Sequence, residues 1–370
     1  MKYKSLLFSC LMAGTGLVSS QAMAGGAIGG NCCADLEERV AELEATTVRK
    51  GNRRVTLQVS GNVHAALLFS DAPNRKNDTE IIQQAATQSK FRFVGKARIS
   101  SDVYAGYRVE FGIGETTFGA FNRDGSFPGI GGAGSRFLTD GAISLRYNEV
   151  FIGSKTLGKL SIGQGETASD FAAQVDLSGT IYFAGGNLDE YHVVSDLDGF
   201  SRQERIRYDT PTIAGFRASA SWQDNESWDA ALRYGGALGD FTVAAAIAYF
   251  ETGDGDGGVV GSASVLHRPT GLSLTAAAGD VDEAVIGIEE YWYVKAGIQR
   301  KIFAVGKSKF SVDYKDINDG DVEKIGAQFV QDIDAANMKI FASVWDADSD
   351  SASPFLPSET AGVVGMTINF

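Results

Sequence analysis

Val364-Gly365-Met366-Thr367-Ile368-Asn369-Phe370 ends the 370-residue chain as a strand with two unlike faces. Val364, Met366, Ile368 and Phe370 share one parity, and Gly365, Thr367 and Asn369 the other. That is the period-two signature of a strand that is apolar on one side only. Such a strand at the end of the chain suits a sheet that closes on itself, because the last strand then pairs with the first and leaves no edge. The same alternation recurs upstream. Val55, Leu57, Val59, Val63, Ala65, Leu67 and Phe69 oppose Thr56, Gln58, Ser60, Asn62 and His64. Phe91, Phe93, Ala97 and Ile99 alternate with Arg92, Lys96 and Arg98; Ala105, Tyr107, Val109 and Phe111 alternate with Tyr104, Arg108 and Glu110. One face suits lipid and the other water, although a soluble sandwich shows the same alternation.

The connections separate the two. Sixteen segments read as strands, near 55–69, 90–100, 103–113, 143–153, 158–164, 203–209, 214–222, 228–234, 239–250, 259–268, 271–279, 291–301, 307–316, 323–332, 337–347 and 361–370. Short turns (101–102, 154–157, 269–270) alternate with longer polar or Gly-rich links (70–89, 114–142, 165–202, 346–360), the pattern of a transmembrane β-barrel with short internal turns and long external loops. The link 223–227 is short for its place in this alternation. All six prolines fall in links, where a missing amide costs no ladder bond. Phe69, Phe151, Trp222, Trp228, Tyr249, Phe250, Trp292, Trp345 and Phe370 lie near strand ends, as interfacial girdles require.

The N-terminus reads as an export signal over 1–24: Lys2 and Lys4, an apolar stretch over 6–18, and the cleavage pattern Ala22-Met23-Ala24. Its apolar stretch is short for a membrane anchor. Cleavage removes two lysines, Cys10 and no acid, and so moves the formal net charge from −13 to −15. That balance excludes a nucleic-acid binder. A mean hydropathy of −0.07 excludes a bundle of membrane helices, and the strongest later apolar run, 241–250, is half a helical span. Cys32 and Cys33 are neighbours, and bridging neighbours strains the backbone; they read as disulfides, local or between subunits, and with no nearby His they make a poor zinc site. Residues 34–46 form a short helical stretch with Leu36, Val40 and Leu43 at i, i+4 and i+7. It is too short to stand alone, and either packs between subunits as a coiled coil or docks on or inside the barrel.

Cys32-Cys33-Ala34-Asp35-Leu36-Glu37-Glu38-Arg39, followed by Arg49-Lys50-Gly51-Asn52-Arg53 and Val55-Thr56-Leu57, resembles the mature N-terminus of general porins of alphaproteobacteria. Tyr147-Asn148-Glu149-Val150-Phe151-Ile152-Gly153 and Leu157-Gly158-Lys159-Leu160-Ser161-Ile162-Gly163-Gln164 resemble the porin hairpin before the constriction loop. Arg207-Tyr208-Asp209-Thr210-Pro211 with Gly215-Phe216 resembles the strand pair after it. The resemblance spans the mature chain. It implies an all-β, sixteen-stranded antiparallel transmembrane barrel over 55–370, preceded by a periplasmic linker (25–54) with its short helix, and assembled as a homotrimer in the outer membrane among lipid and lipopolysaccharide. It implies passive passage of small hydrophilic solutes and ions, with no cofactor, no metal and no catalysis.

The third external loop, 166–202, is expected to fold into the lumen as the constriction. Its acids Asp170, Asp176, Asp189 and Glu190, with Asp196 and Asp198, would face a basic wall of Arg92, Lys96, Arg98, Arg108 and Arg146. Opposed charges across a narrow passage set up a transverse field that favours dipolar solutes. Lys96, Arg108 and Arg146 stand nearest mid-strand. Glu149 has outward parity, which calls for a subunit interface or a covering loop. Acid excess points to cation preference and the basic wall to the reverse. Tyr182, Phe183 and Tyr191 leave room for a substrate-selective channel for a sugar or an anion; an envelope-tethering protein is the structural alternative.

Other motifs carry less. Residues 129–134 match G-x-G-x-x-G without the flanking strand and helix of a dinucleotide site. Asp346, Asp348 and Asp350 imitate a calcium loop, but Ser351 and Pro357 occupy the positions that need Gly and Glu. The three histidines, His64, His192 and His267, have no G-x-S-x-G or H-E-x-x-H beside them.

Overall fold

The computed structural model describes residues 55–71, 79–82, 89–113, 143–180, 199–224, 226–285, 288–318, 320–350 and 358–370. The export signal, Cys32, Cys33, the helical stretch 34–46 and the 129–134 motif lie outside them. The strands are β1 (Thr56–Ser70), β2 (Thr79–Ile82), β3 (Ser89–Arg98), β4 (Val103–Ile113), β5 (Ile143–Ser154), β6 (Gly158–Glu166), β7 (Arg202–Asp209), β8 (Phe216–Gln223) and β9 (Trp228–Leu238). They continue as β10 (Phe241–Glu251), β11 (Gly257–His267), β12 (Leu272–Val285), β13 (Ile288–Phe303), β14 (Gly306–Ile317), β15 (Val322–Ile333), β16 (Met338–Ser349) and β17 (Glu359–Asn369).

Every sequence-read segment is one of these strands. Neighbours pair antiparallel, and β17 closes the cylinder on β1 from Asn62↔Asn369 to Ser70↔Ala361. The extra strand, β2, adds no stave. It pairs with the far half of β1 (Ala66↔Ile82 to Phe69↔Thr79), while β3 pairs with the near half (Thr56↔Lys96 to Asn62↔Lys90), so the two share one position and the barrel has sixteen.

Closure solves the backbone problem of a membrane: each of the sixteen staves has a neighbour on both sides, so its ladder amides find partners within the sheet. Outward side chains form an exposed apolar band, exemplified by Val59, Ile162, Leu232, Ile247, Leu274 and Val344. Trp222, Trp228, Tyr249 and Trp292 stand outward at the long-loop end, and Phe216, Phe241, Phe303 and Phe370 at the short-turn end. Trp292 and Phe303 lie eleven residues apart on one strand. At barrel tilt that is a height of about 28 Å, the thickness of a hydrocarbon core.

Three expected girdle residues face the lumen instead. Phe250 follows outward Tyr249, so alternation turns it inward, where it packs on Phe200 with ring centroids 5.3 Å apart. Trp345 follows outward Val344 and is buried inside the barrel. Phe151 lies across from Gly106, and a Cβ there would collide with its ring.

Candidate pore constriction

The basic wall is built around one carboxylate. Glu110 on β4 points inward and is 1% exposed. Arg92 Nε on β3 reaches its Oε2 at 2.6 Å, Arg108 Nη2 reaches the same oxygen at 2.8 Å, and Arg146 Nε on β5 reaches Oε1 at 2.9 Å. Three guanidiniums on one carboxylate leave a local excess of positive charge. Each arginine remains 16–17% exposed, so water reaches that charge.

A β-bulge makes this convergence possible. Glu110 pairs with Tyr147 and Phe111 with Leu145, which leaves Arg146 as the extra residue on β5. An inserted residue puts two consecutive side chains on one face and flips the parity beyond it. Arg146 therefore bonds Glu110 while Tyr147, also inward, lies under the Arg108 guanidinium, 3.3 Å from ring centroid to Cζ. The Tyr147 hydroxyl donates to Glu166.

The same flip corrects the reading of Glu149. It faces the lumen rather than lipid, opposite Arg108, and its Oε2 accepts from Arg205 Nη2 at 2.5 Å. Neither a subunit interface nor a covering loop is needed to explain it.

The first part of the third loop runs flush along the inner wall. Arg207 donates to the Thr167 carbonyl at 2.5 Å, and Arg233 to the carbonyls of Ala168 and Asp170 at 2.7 and 2.8 Å. Small hydroxyls on β8 and β11 then take up loop groups: Ser221 accepts from Ala168 N, Ser262 from Val175 N and Ser264 from Leu177 N, at 2.8–2.9 Å. Thr180 and Ser311 share a bond of 2.8 Å. Short polar side chains let the loop backbone approach while satisfying its amides, which burial would otherwise strand.

Asp170 and Asp176 belong to this anchorage. Asp176 pairs with Lys295 Nζ at 2.9 Å, and the two are 1% and 0% exposed. It also accepts from Ser178 N at 2.6 Å and from Thr275 Oγ1 at 3.1 Å. Burial raises the Asp176 carboxyl, but the Lys295 charge and the Ser178 donors more than offset it and hold the group below the usual carboxylate range. Asp170 goes the other way: burial, reinforced by the Glu166 charge, pushes it up to about 7. Asp189, Glu190, Asp196, Asp198, His192, Tyr182, Phe183 and Tyr191 lie outside the described residues.

Of the basic residues expected at the wall, Arg92, Arg108 and Arg146 come together. Lys96 and Arg98 do not join them. Lys96 is exposed opposite Thr56, the first residue of β1, and Arg98 Nε donates to the Ser100 carbonyl in the adjoining turn at 2.9 Å. Glu110, Glu149, Glu166, Tyr147, Arg205 and Arg233 were missed as site residues. The alternation of Arg205, Arg207 and Asp209 with Glu204, Ile206 and Tyr208 carried a signal for the wall of β7. His64 stacks on Phe341 (5.1 Å, 17°) and His267 Nδ1 lies 2.7 Å from Thr270 Oγ1. Among the described residues no group of His, Cys, Asp or Glu could hold a metal ion.

A closed barrel, apolar outside and charged within, with an external loop folded onto its inner wall, is a multi-pass outer-membrane channel through which solutes pass passively. Residues 10–352 match the family model described as Gram-negative porin, and the chain belongs to that family. Solved structures agree in fold. The anion-selective porin from Comamonas acidovorans superposes with a TM-score of 0.57 at 14% identity, covering 85% of this chain and 100% of that one. OmpF of Salmonella typhi in complex with daunomycin gives 0.58 at 13%, covering 87% and 99%. A mutant Rh. blastica porin gives 0.57 at 13%, covering 85% and 100%. No curated protein matches the sequence.

Proposed function

We propose that the chain, freed of residues 1–24, forms a homotrimer of general diffusion pores whose narrowest passage lies between the Glu110-centred arginines and the third loop, 166–202. Small hydrophilic solutes and ions cross it down their gradients, with no covalent step, and anions are favoured. The observation that supports this is the charge at the wall: Arg92, Arg108 and Arg146 converge on the single carboxylate of Glu110, with Glu166 beside Arg108 and Glu149 paired with Arg205. The acids Asp189 and Glu190 would supply the opposing face. Of the fold relatives, one is described as anion-selective and the Vibrio cholerae protein OmpT in a trimer form, which supports both parts of the reading. The N-terminal block favours the alphaproteobacterial branch.

The test is reversal potential across a planar bilayer under a KCl gradient, with single-channel steps counted. Anion preference and steps in triplets are expected. Cation preference would overturn the selectivity, and solitary steps the trimer. Saturable block of the current by one sugar or anion would favour a substrate-selective channel. A refolded protein without conductance would favour a tether.

A further inference from the structure

The inner wall of a wet barrel should be polar, and across β15, β16, β17 and β1 this one is not. Val330 and Phe341 are fully buried, Leu68 and Val363 are 1% exposed and Trp345 is 3% exposed. They form one patch on adjacent strands: Val330 pairs with Phe341, Trp345 with Ala361, and Leu68 with Val363 across the closing seam. The patch has a basic border. Lys324 Nζ lies 5.1 Å from the Trp345 ring centroid, and Lys324 stands directly opposite Lys315. Among the described residues, the third loop's bonds to the wall reach β14 at Ser311.

A dry, apolar face edged by Lys315 and Lys324, which face Asp313 as well as each other, fits a cover with an apolar stripe and an acidic flank, since apolar burial and further charge pairing then coincide. The helical stretch 34–46 has that composition. Leu36, Val40 and Leu43 make the stripe, and Asp35, Glu37, Glu38, Glu42 and Glu44 surround it with Arg39 as the sole base.

Its length and tether also fit. Thirteen helical residues extend about 20 Å, and Phe341 to Trp345 spans about 13 Å along the strand. The chain enters β1 at the mouth from which β16 starts, because Val63 and Met338 both pair with Ile368. Nine residues, 47–55, join the stretch to β1 and reach up to about 30 Å. Val55 lies eight residues outside Val63, about 26 Å along the strand, so the extended linker turns back and brings residue 46 level with Met338, three residues short of Phe341.

We propose that residues 34–46 dock inside the lumen on the Leu68–Val330–Phe341–Trp345–Val363 patch, acidic flank toward Lys315 and Lys324, as a sleeve over the barrel's closing seam. The docked segment narrows the lumen from the short-turn mouth.

Trp345 gives a readout independent of conduction. The other three tryptophans, Trp222, Trp228 and Trp292, face outward, so replacing each by Phe leaves Trp345 as the sole tryptophan, excited selectively at the red edge beyond tyrosine absorption. That protein, refolded in lipid vesicles, would be titrated with acrylamide beside a version lacking 34–46 and one carrying Leu36→Asp, Val40→Asp and Leu43→Asp. Circular dichroism would confirm the barrel in each. Weak quenching in the parent and a slope at least threefold steeper in either variant are expected. An unchanged slope in a folded variant would overturn the proposal and assign the cover to another loop or a second copy. Loss of trimers with unchanged quenching would do the same in favour of an inter-subunit coiled coil.

Discussion

Replacing Glu110 by Gln removes one negative charge from the wall and nearly none of its volume, which makes it the sharpest probe of selectivity. Arg92, Arg108 and Arg146 then carry three positive charges where the wild-type cluster carries a net two. An ion passing about 6 Å from the changed group in water feels about 0.7 kcal/mol per unit charge. Screening in 0.1 M salt, where the Debye length is about 10 Å, reduces this to about 0.4 kcal/mol. That is about a twofold gain for chloride and an equal loss for potassium, hence about a fourfold rise in the chloride-to-potassium permeability ratio. Arg108→Gln should lower the ratio by a similar factor. In 1 M KCl the Debye length falls to about 3 Å, so both shifts should nearly vanish. The variant also leaves three guanidiniums without their common acceptor, at a cost near the lower end of the roughly 3–5 kcal/mol typical of broken buried pairs, because water still reaches the arginines. Reversal potentials of heat-checked, barrel-competent protein measure the effect. A ratio that stays put at low salt, or a shift that survives 1 M KCl, would show that ions do not pass this cluster.

The loop anchorage yields three more expectations. Lys295→Met leaves Asp176 ionised in a dry site and should cost about 3–5 kcal/mol, seen as a lower unfolding midpoint and noisier open-channel current; Lys295→Met with Asp176→Asn should recover most of it, and a double variant as weak as the single would refute an ion-pair role. Asp170 and Asp176 titrate in opposite senses. The raised Asp170 keeps, in the folded state, a proton that the unfolded chain has lost, so its contribution is greatest below about pH 4 and declines until about pH 7. Asp170→Asn should flatten that slope in unfolding midpoints between pH 4 and 8. The depressed Asp176 stabilises above the ordinary carboxylate range and is lost only as pH falls below it, so Asp176→Asn should change the acid limb alone. A fourth concerns packing: a Cβ at Gly106 would strike the Gly95 carbonyl and the Phe151 ring, so Gly106→Ala should cost about 1–3 kcal/mol. Gly255→Ala, in open space at φ 97°, should cost only the left-handed penalty of about 1–2 kcal/mol in chemical denaturation.

The strands were legible because a lipid-facing surface forces strict alternation, and alternation is visible one residue at a time. What alternation cannot show is where it breaks. The single residue inserted at Arg146 moved Tyr147 and Glu149 to the lumen, and nothing in Leu145-Arg146-Tyr147-Asn148-Glu149 marks the insertion; it exists only relative to β4. Lys96 was misplaced for a related reason. It has inward parity, but its height in the barrel depends on register with Thr56, a fact of pairing. The hydroxyls that carry the loop, Ser221, Ser262, Ser264 and Ser311, look in sequence like any lumenal serines, and only the path of 167–180 gives them a role. Trp345 was read as a girdle residue because proximity to a strand end does not say which face a ring occupies.

The selectivity question turns on where charge sits rather than how much the chain carries. Counting residues gives −13 and points to cations. Yet on the loop-clad arc of the wall several charges are consumed in pairs, Asp176 with Lys295, Arg207 with Asp209 and Lys309 with Asp332, and a neutral pair steers a passing ion weakly. Glu290, Glu323, Asp346 and Asp348 stand exposed on outward positions at the long-loop rim. Beyond a Debye length of about 10 Å their field is screened before it reaches the passage. On the arc from β3 to β5, by contrast, three water-accessible guanidiniums share one acid. An ion samples the nearest charges in the narrowest place. On the proposed function, this local excess outweighs the global deficit, and Arg92, Arg108 and Arg146 set an anion preference in a protein that is acidic overall.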